Sequence, residues 1–161
     1  MVTFEEAIAE VGPALSRIAA SYERDRNLRE DLMQDIMLAL FRALPTLEER
    51  RKLKAFACRI AHNRCVDHVV RRAAIAKPAE LSGELPSADA TPEENILQSE
   101  RSERVLEAVR GLELPYRQVI TLVLEDMSYS DIAEALGISL ANVGVRINRA
   151  KSKLKAMLGH E

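Results

Sequence analysis

Apolar residues recur at steps of three and four along most of the 161-residue chain, which is the spacing that predicts amphipathic helices. The N-terminal half contains three such segments, at about 4–22, 29–44 and 53–72. We expect Pro13 to interrupt the first segment or to start one of its turns, because proline lacks the N–H that a helix interior uses. No segment alternates with the period of a strand, so the pattern predicts an all-α protein.

A stretch rich in proline, acids and small polar residues separates the two halves, at 75–91. Helical periodicity resumes near Thr91, a suitable N-cap, with Pro92 at the first helical position. We therefore predict two small helical domains, at 1–74 and 92–161, joined by a flexible linker.

The stretch SYSDIAEALGISLANVGVRINRAKSKLKAML, residues 128–158, predicts a helix-turn-helix. Ser128 with Asp131 three residues later is typical of a capping box that starts a short helix. Gly137 tolerates the positive φ that a tight turn requires, and Ser139 can cap the following helix.

The last predicted helix carries two different stripes. The apolar stripe consists of Val143, Ile147, Ala150, Leu154 and Met157. The polar and basic stripe consists of Asn142, Arg146, Arg149 and Lys153. A helix of this kind, held across a short turn, fits a recognition helix that enters the major groove of DNA. The alternative is a solvated basic helix in an ordinary bundle.

Residues at the start of that helix and along its basic stripe are candidates for DNA contacts. Arg146, Arg149 and Lys153 can neutralise phosphates, whereas Asn142 can bond an adenine through two hydrogen bonds. Asn142 can also be an ordinary solvent-exposed residue of a first helical turn. The full candidate set is Ser139, Leu140, Asn142, Arg146, Arg149 and Lys153.

The charge distribution agrees with a nucleic-acid partner, although the formal net charge is only −2. The end of the chain has basic residues without opposing acids, and the middle is strongly acidic. No apolar run approaches the ~18 residues that cross a bilayer, and the acidic N-terminus MVTFEEAIAE does not have the character of a signal peptide. We expect a cytoplasmic protein without membrane insertion and with reduced cysteines.

Cys58, His62 and Cys65 share one face of the third predicted helix, at spacings that invite a zinc or redox-sensor hypothesis. Val66 and Val69 lie on the same flank, which favours a face turned towards the core, where thiols behave as small apolar groups. A single helix also cannot easily surround a metal. We therefore expect these side chains to be buried and predict no metal site and no cofactor.

Three segments resemble extracytoplasmic-function (group 4) sigma factors of the sigma-70 family. LPYRQVITLVLEDMSYSDIAEALGIS, at 114–139, is similar to their C-terminal DNA-binding region. DLMQDIMLALFRAL, at 31–44, and FACRIAHNRCVDHVVRR, at 56–72, resemble the two helices of their sigma-2 region. The matches occur in the order of the family and cover most of the chain.

The resemblance implies a non-enzymatic protein that directs core RNA polymerase to specific promoters. It implies that the C-terminal domain reads the −35 element and that the N-terminal domain binds core polymerase and the −10 element. The regions of core polymerase expected to contact the chain are the β′ clamp and the β flap. By position, the polymerase-binding residues are Asp31, Gln34, Asp35 and Leu38. The corresponding −10 residues are Leu47, Phe56, Asn63, Asp67 and Arg71. An anti-sigma protein is a further expected partner, and the acidic linker is expected to stay extended and off the DNA.

The chain departs from the family pattern at positions that bear on promoter choice. Phe56 stands where the family usually has tryptophan, so it offers less area for stacking. The loop LEERRK lacks the small residues that are usual there. Gly144 and Val145 replace a basic residue and a serine that are frequent in the recognition helix, which removes an expected charged contact.

Two other classes of binding protein compete with this hypothesis. A helix-turn-helix regulator that never engages polymerase explains 115–158 but leaves the resemblance at 31–72 unexplained. Gly144 and Val145 allow a sigma-like adaptor that binds no DNA, but the basic C-terminal helix argues against it. An enzyme has little support, because the chain contains neither a glycine-rich phosphate loop nor a nucleophile–base pattern.

Overall fold

A computed structural model describes residues 1–76 and 96–159 of the chain, and within these ranges it contains helices and no strand. The helices are α1 Phe4–Tyr22, α2 Arg26–Ala43, α3 Leu53–Ala76, α4 Ile96–Arg110, α5 Leu114–Leu124, α6 Tyr129–Leu136 and α7 Leu140–Leu158. Two short 3-10 helices, Leu44–Thr46 and Arg50–Lys52, connect α2 to α3. The prediction of an all-α protein is confirmed.

Helices α1, α2 and α3 pack against one another in the N-terminal half. Their buried side chains are aliphatic, among them Leu15 and Ile18 of α1 and Ile36 and Leu40 of α2. Local capping starts these helices where the sequence allows it. Thr3 Oγ1 accepts from the Glu6 N–H at 3.1 Å, and the Glu6 carboxylate accepts from the Thr3 N–H, which completes a capping box.

The expectation that Pro13 would interrupt the first helix is wrong. Helix α1 continues through Pro13 from Phe4 to Tyr22. Proline removes one backbone hydrogen bond from the helix interior, but the neighbouring Val11, Ala14 and Leu15 are buried in the core. Tertiary packing of this stretch therefore outweighs the local preference.

The buried carboxylate of Glu23, directly after α1, forms hydrogen bonds to residues of α3. His68 Nε2 lies 2.7 Å and Arg72 Nη1 lies 3.1 Å from Glu23 Oε1. The Asp25 N–H donates to the same carboxylate at 2.8 Å. This set of hydrogen bonds compensates for removing the charge from water and fixes the corner between α1 and α2.

The C-terminal half forms its own bundle and also packs against the N-terminal half. Helices α5, α6 and α7 contact one another, and α4 contacts α5 and α7. Helix α1 touches α4 and α5, while α3 touches α6, so that one continuous apolar core includes residues of both halves.

An ion pair with two hydrogen bonds lies at the junction of the halves. Arg17 Nε and Nη2 donate to the two oxygens of Glu125 at 2.9 and 2.8 Å. Glu125 is only 4% exposed, and the pairing raises the pKa of Arg17. Beside it, the Arg117 guanidinium lies 5.4 Å from the centre of the Tyr22 ring, a favourable cation–π distance.

A second set of polar contacts joins α1 to α4. Arg110 Nε donates to the Ala20 carbonyl at 2.8 Å, and Arg24 forms an ion pair with Glu107. Because Arg110 is largely desolvated here, burial lowers its pKa. The contacts of both sets connect residues that are far apart in sequence.

The predicted linker at 75–91 lies largely outside the described residues, as do the proposed cap Thr91 and Pro92. Helix α3 ends at Ala76, so it continues two residues beyond the domain boundary that the sequence predicts at 74. No helix in the described ranges is long and apolar enough to cross a membrane.

Candidate nucleic-acid and polymerase interfaces

Helices α6 and α7 form the helix-turn-helix that the sequence predicts. Ser128 Oγ accepts from the Asp131 N–H at 3.0 Å and starts α6. Gly137 ends α6 with a φ of 68°, a left-handed conformation that glycine adopts without steric cost. Ser139 Oγ then accepts from the Asn142 N–H at 3.1 Å and starts α7. Two local caps and one glycine thus set the angle between the helices.

Most of the predicted apolar stripe of α7 is buried. Val143, Ile147 and Ala150 have no exposed surface, and Leu154 is half-buried. Met157 is a correction, because its side chain is 47% exposed. The residue lies in the last turns of α7, where the apolar cover that buries the earlier positions is incomplete.

The predicted −35 residues lie at the start of α7 and along one flank of it, beside its buried face. Ser139, Leu140, Asn142 and Arg149 are exposed, and Arg146 is half-buried at the margin. Their arrangement places the amide of Asn142 in the first turn and the guanidinium groups one and two turns later. This is the order in which a recognition helix presents base-reading and phosphate-binding groups.

Lys153 is held differently from the arginines of α7. Its Nζ lies 3.8 Å from the Glu113 carboxylate and 5.2 Å from the centre of the Tyr116 ring. The side chain borders an open depression that is also lined by Asn148 and Ser152. A phosphate contact by Lys153 must therefore compete with an existing acidic partner.

The predicted −10 residues lie on α3 and on the connection that precedes it. Phe56, Asn63, Asp67 and Arg71 step by seven, four and four, so they share one side of α3. Asn63, Asp67 and Arg71 are exposed, whereas Phe56 is half-buried against the core. Leu47 directly follows the short 3-10 helix Leu44–Thr46 and is also half-buried.

The predicted polymerase-binding residues share one face of α2. Asp31, Gln34 and Leu38 are exposed, and Asp35 is half-buried with its Oδ2 4.0 Å from Arg64 Nη1 of α3. Sequence reasoning missed Phe41, which extends the same face by one turn and is exposed. Its ring packs edge-to-face on Phe4 with 5.3 Å between centroids. The step of three from Leu38 was the signal that could have revealed it.

The expected burial of Cys58, His62 and Cys65 is confirmed. Burial raises the pKa of the Cys58 thiol to about 11, with the Glu125 carboxylate adding to the shift, and it also raises the pKa of Cys65. Burial lowers the pKa of His62 to about 4. These groups are therefore neutral in neutral solution, and the described ranges contain no cluster of three or more His, Cys, Asp or Glu residues placed to hold a metal.

The structure thus assembles each predicted set on its own helix but does not bring the sets together. The polymerase set lies on α2, the −10 set on and before α3, and the −35 set on α7. Sequence reasoning missed the residues that connect the halves, above all Arg17 and Glu125. Their separation of 108 positions leaves no local pattern by which they could be paired.

Family comparisons agree with this architecture. The family model described as Sigma-70 region 2 matches residues 7–75, and that described as Sigma-70, region 4 matches residues 102–154. The RNA polymerase sigma factor CnrH of Cupriavidus metallidurans is 30% identical over 164 residues, covering 96% of this chain and 86% of CnrH. The chain belongs to the sigma-70 family, among its extracytoplasmic-function sigma factors.

Other relatives and solved structures lead to the same class. The ECF RNA polymerase sigma factor SigM of Mycobacterium tuberculosis is 31% identical over 147 residues, covering 91% of this chain and 72% of SigM. CnrH, solved in complex with the cytosolic domain of CnrY, superposes with a TM-score of 0.69 at 29% identity, covering 98% of this chain and 88% of CnrH. The sigma factor RpoE from Bartonella quintana, solved with the anti-sigma factor NepR, has the same fold, with a TM-score of 0.75 at 22% identity over 97% of this chain and 96% of RpoE.

The predicted function is therefore confirmed at the level of the family. The chain is a sigma factor that directs RNA polymerase to promoters, in a family that is generally not catalytic. A helix-turn-helix regulator that acts without polymerase would leave the region 2 match at 7–75 unexplained. The roles of individual residues stay predictions.

Proposed function

We propose that this sigma factor divides promoter recognition between its two halves. Residues 1–74 bind core polymerase through α2 and the −10 element through α3, and α7 of residues 92–161 binds the −35 element. The observation that carries the proposal is the surface of α7. Within the described residues, Arg146 and Arg149 have no carboxylate partner, and they lie on one flank of the buried stripe. Unpaired guanidinium groups on a capped, exposed helix are available for phosphates.

The face of α2 supports the polymerase part of the proposal. Acidic and amide groups at Asp31, Gln34 and Asp35 border the exposed apolar side chains of Leu38 and Phe41. A patch with apolar residues and a polar rim is the composition typical of a protein interface. The β′ clamp of core polymerase is the partner we assign to it, and we assign the β flap to the C-terminal half.

The packing of the two halves bears on how promoters are engaged. The names of the −35 and −10 elements place them about 25 base pairs apart, which is on the order of 85 Å of duplex. A compact chain of this length has a radius of gyration of about 15 Å. The halves must therefore separate for both elements to be bound at once, and the junction at Arg17 and Glu125 opposes that separation.

We further propose that an anti-sigma protein binds this chain and favours the packed arrangement. The support comes from two solved structures of similar fold, CnrH in complex with the cytosolic domain of CnrY and RpoE in complex with the anti-sigma factor NepR. Helix α1 already contacts α4 and α5 in the free chain. A partner that binds both halves therefore does not have to bring them together. We place the protein in the cytoplasm, with the promoter DNA on which it acts.

Charge reversal on α2 tests the polymerase interface. We expect Asp31→Arg and Asp35→Arg each to weaken retention of the chain by immobilised core polymerase at least tenfold, because each places a cation in an acidic rim. Helical content, followed by circular dichroism, should not change.

Two controls separate the interface from local effects. Glu100→Arg, at an exposed position of α4, should leave retention unchanged. Arg64→Ala removes the partner of Asp35 without touching the α2 face, and it should also bind core polymerase normally. Normal retention of both α2 variants would contradict the assignment of this face.

A further inference from the structure

The outermost side of α7 carries no charge. Ala141, Val145, Asn148 and Ser152 step by four, three and four, and all four are exposed. On a helix these positions lie opposite the buried Val143, Ile147 and Ala150. We call these four outward residues the uncharged strip.

Basic residues flank the uncharged strip on both sides. Arg149 and Lys153 lie along one side of it, and Lys151 and Lys155 lie along the other, all four exposed. A helix seated in the major groove has a phosphate backbone on either side and base edges in front. The two basic flanks thus match the two backbones, and the uncharged strip matches the floor of the groove.

The first half of the strip has no group that can form a side-chain hydrogen bond. Ala141 presents a methyl group, and Val145 is 43% exposed although it is β-branched and apolar. Such side chains cannot distinguish the donors and acceptors of base edges. The apolar feature of the major groove is the C5-methyl group of thymine.

Gly144, beside Val145, supplies an independent observation. Glycine weakens a helix interior relative to alanine, so its presence calls for a reason. A Cβ atom added to Gly144 would meet no atom of the protein within 4 Å, so the internal packing does not require glycine. Close approach of an external partner to this turn of α7 does supply a reason.

We propose that Val145 and Ala141 determine the specificity of the −35 contact by packing against thymine methyl groups, and that Gly144 lets the DNA approach closely enough for this contact. The inference rests on the proposed binding of the −35 element by α7. Under this inference, α7 recognises part of the upstream element through thymine methyl groups rather than through hydrogen bonds. Asn142 remains the group that can read a base through its amide.

Removal of single methyl groups from DNA tests the contact. The full chain is assembled with core polymerase, and the preferred upstream element is selected from duplex promoters randomised in that region. Each thymine of the selected element is then replaced by deoxyuridine, which lacks only the C5-methyl group. We expect one or two positions at which this replacement weakens binding about fourfold, the size of one lost methyl contact.

The protein variants must lose the same sensitivity. With Val145→Ala, binding to the thymine promoter should weaken by a similar factor, and deoxyuridine at the sensitive position should cause no further loss. Val105→Ala is the matched control, because Val105 is similarly exposed, at 40%, but belongs to α4 and not to the recognition helix α7. It should bind like the wild type and keep the full response to deoxyuridine.

Gly144→Ala separates a role of Gly144 in DNA binding from a purely structural role, because the two roles predict different effects on stability and on promoter binding. This variant should raise the thermal midpoint of the free chain, because alanine favours the helix and finds open space. It should nevertheless weaken promoter binding severalfold. A variant that is both more stable and fully active would overturn the part assigned to Gly144.

The outcomes separate the inference from the proposed function. If the holoenzyme selects an upstream element but tolerates deoxyuridine at every thymine, or if that element contains no thymine, the methyl readout is wrong and the −35 role of α7 stands. If the holoenzyme selects no upstream element at all, both are wrong. An equal response of Val145→Ala and wild type to deoxyuridine also overturns the inference.

Discussion

The arginines at the junction of the two halves and those of α7 have the same chemistry but opposite situations. Arg17, Arg24 and Arg110 are each bound to a carboxylate or a carbonyl across the junction. Within the described part of the chain, Arg146 and Arg149 have no such partner. The charges of the junction arginines are therefore paired within the protein, whereas those of Arg146 and Arg149 remain available for an external ligand. A count of charges therefore says little about binding until the partners are known.

The largest expected effect comes from the junction. Arg17→Glu would place a second carboxylate against the buried Glu125, so we expect the free energy of unfolding to fall by about 2 kcal/mol, a discounted value because the guanidinium is largely exposed. The variant should also open the junction and expose Cys58. Denaturant titration and the rate of thiol labelling measure the two effects.

Arg59→Glu is the control for this comparison, because Arg59 is exposed on α3 and lies outside the set of junction contacts. It should change neither stability nor thiol labelling appreciably. If both variants behaved alike, the Arg17–Glu125 pair would not hold the halves together, and the contrast with α7 would lose its basis.

A smaller effect is expected from acid. The folded protein keeps His62 neutral, with a pKa of about 4 instead of 6.5, so its contribution to stability is complete above pH 6.5 and is lost as the pH falls towards 4. Between pH 7.5 and 5.5 we expect a loss of about 1 kcal/mol from this group.

His62→Gln isolates that contribution, since glutamine does not titrate. The change in unfolding free energy between the two pH values should be smaller in the variant than in the wild type by the stated amount. Equal pH dependence of both proteins, measured by denaturant titration, would show that His62 is accessible to protons in the folded state.

The smallest effects concern the cations of α7. Arg149→Ala should weaken promoter binding about equally on all sequences and reduce the salt dependence of the binding constant by about one unit, without changing stability. Lys153→Ala should reduce it less, because Lys153 already faces Glu113 and Tyr116. Binding measured over a range of salt concentrations distinguishes the two.

Asn142→Ala is the internal control for these measurements. If Asn142 reads a base, its loss should cost about 1–3 kcal/mol on the preferred site and much less on others. A uniform loss on all sequences would instead move Asn142 to the group of phosphate contacts.

The helix-turn-helix could be predicted almost completely from the sequence, and the reason is local. Ser128 and Ser139 cap helices through N–H groups only three residues away. Gly137 needs only its own backbone freedom to adopt a positive φ. The candidate residues of α2 and α3 share helix faces for a similar reason, because helical periodicity places residues on faces without reference to the rest of the fold.

Other features depended on neighbours that a local pattern does not contain. The helix continues through Pro13 because adjacent residues are buried, and Met157 is exposed because the apolar cover is incomplete at the end of α7. The same apolar spacing thus leads to a buried Ile147 and an exposed Met157. Periodicity predicts which residues of a helix share an apolar face, but it does not predict how far the elements that cover that face extend.

The amino-acid sequence by itself determined the helices, their caps, the turn of the DNA-binding motif and the family, because each depends on residues close together in the chain. Only the tertiary structure decided which charges remain available. Whether an arginine meets Glu125, Glu107 or solvent depends on how α1 packs against α4 and α5, and that packing arises from buried apolar area shared by both halves. Electrostatic pairing across such a junction is long-range in sequence and short-range in space.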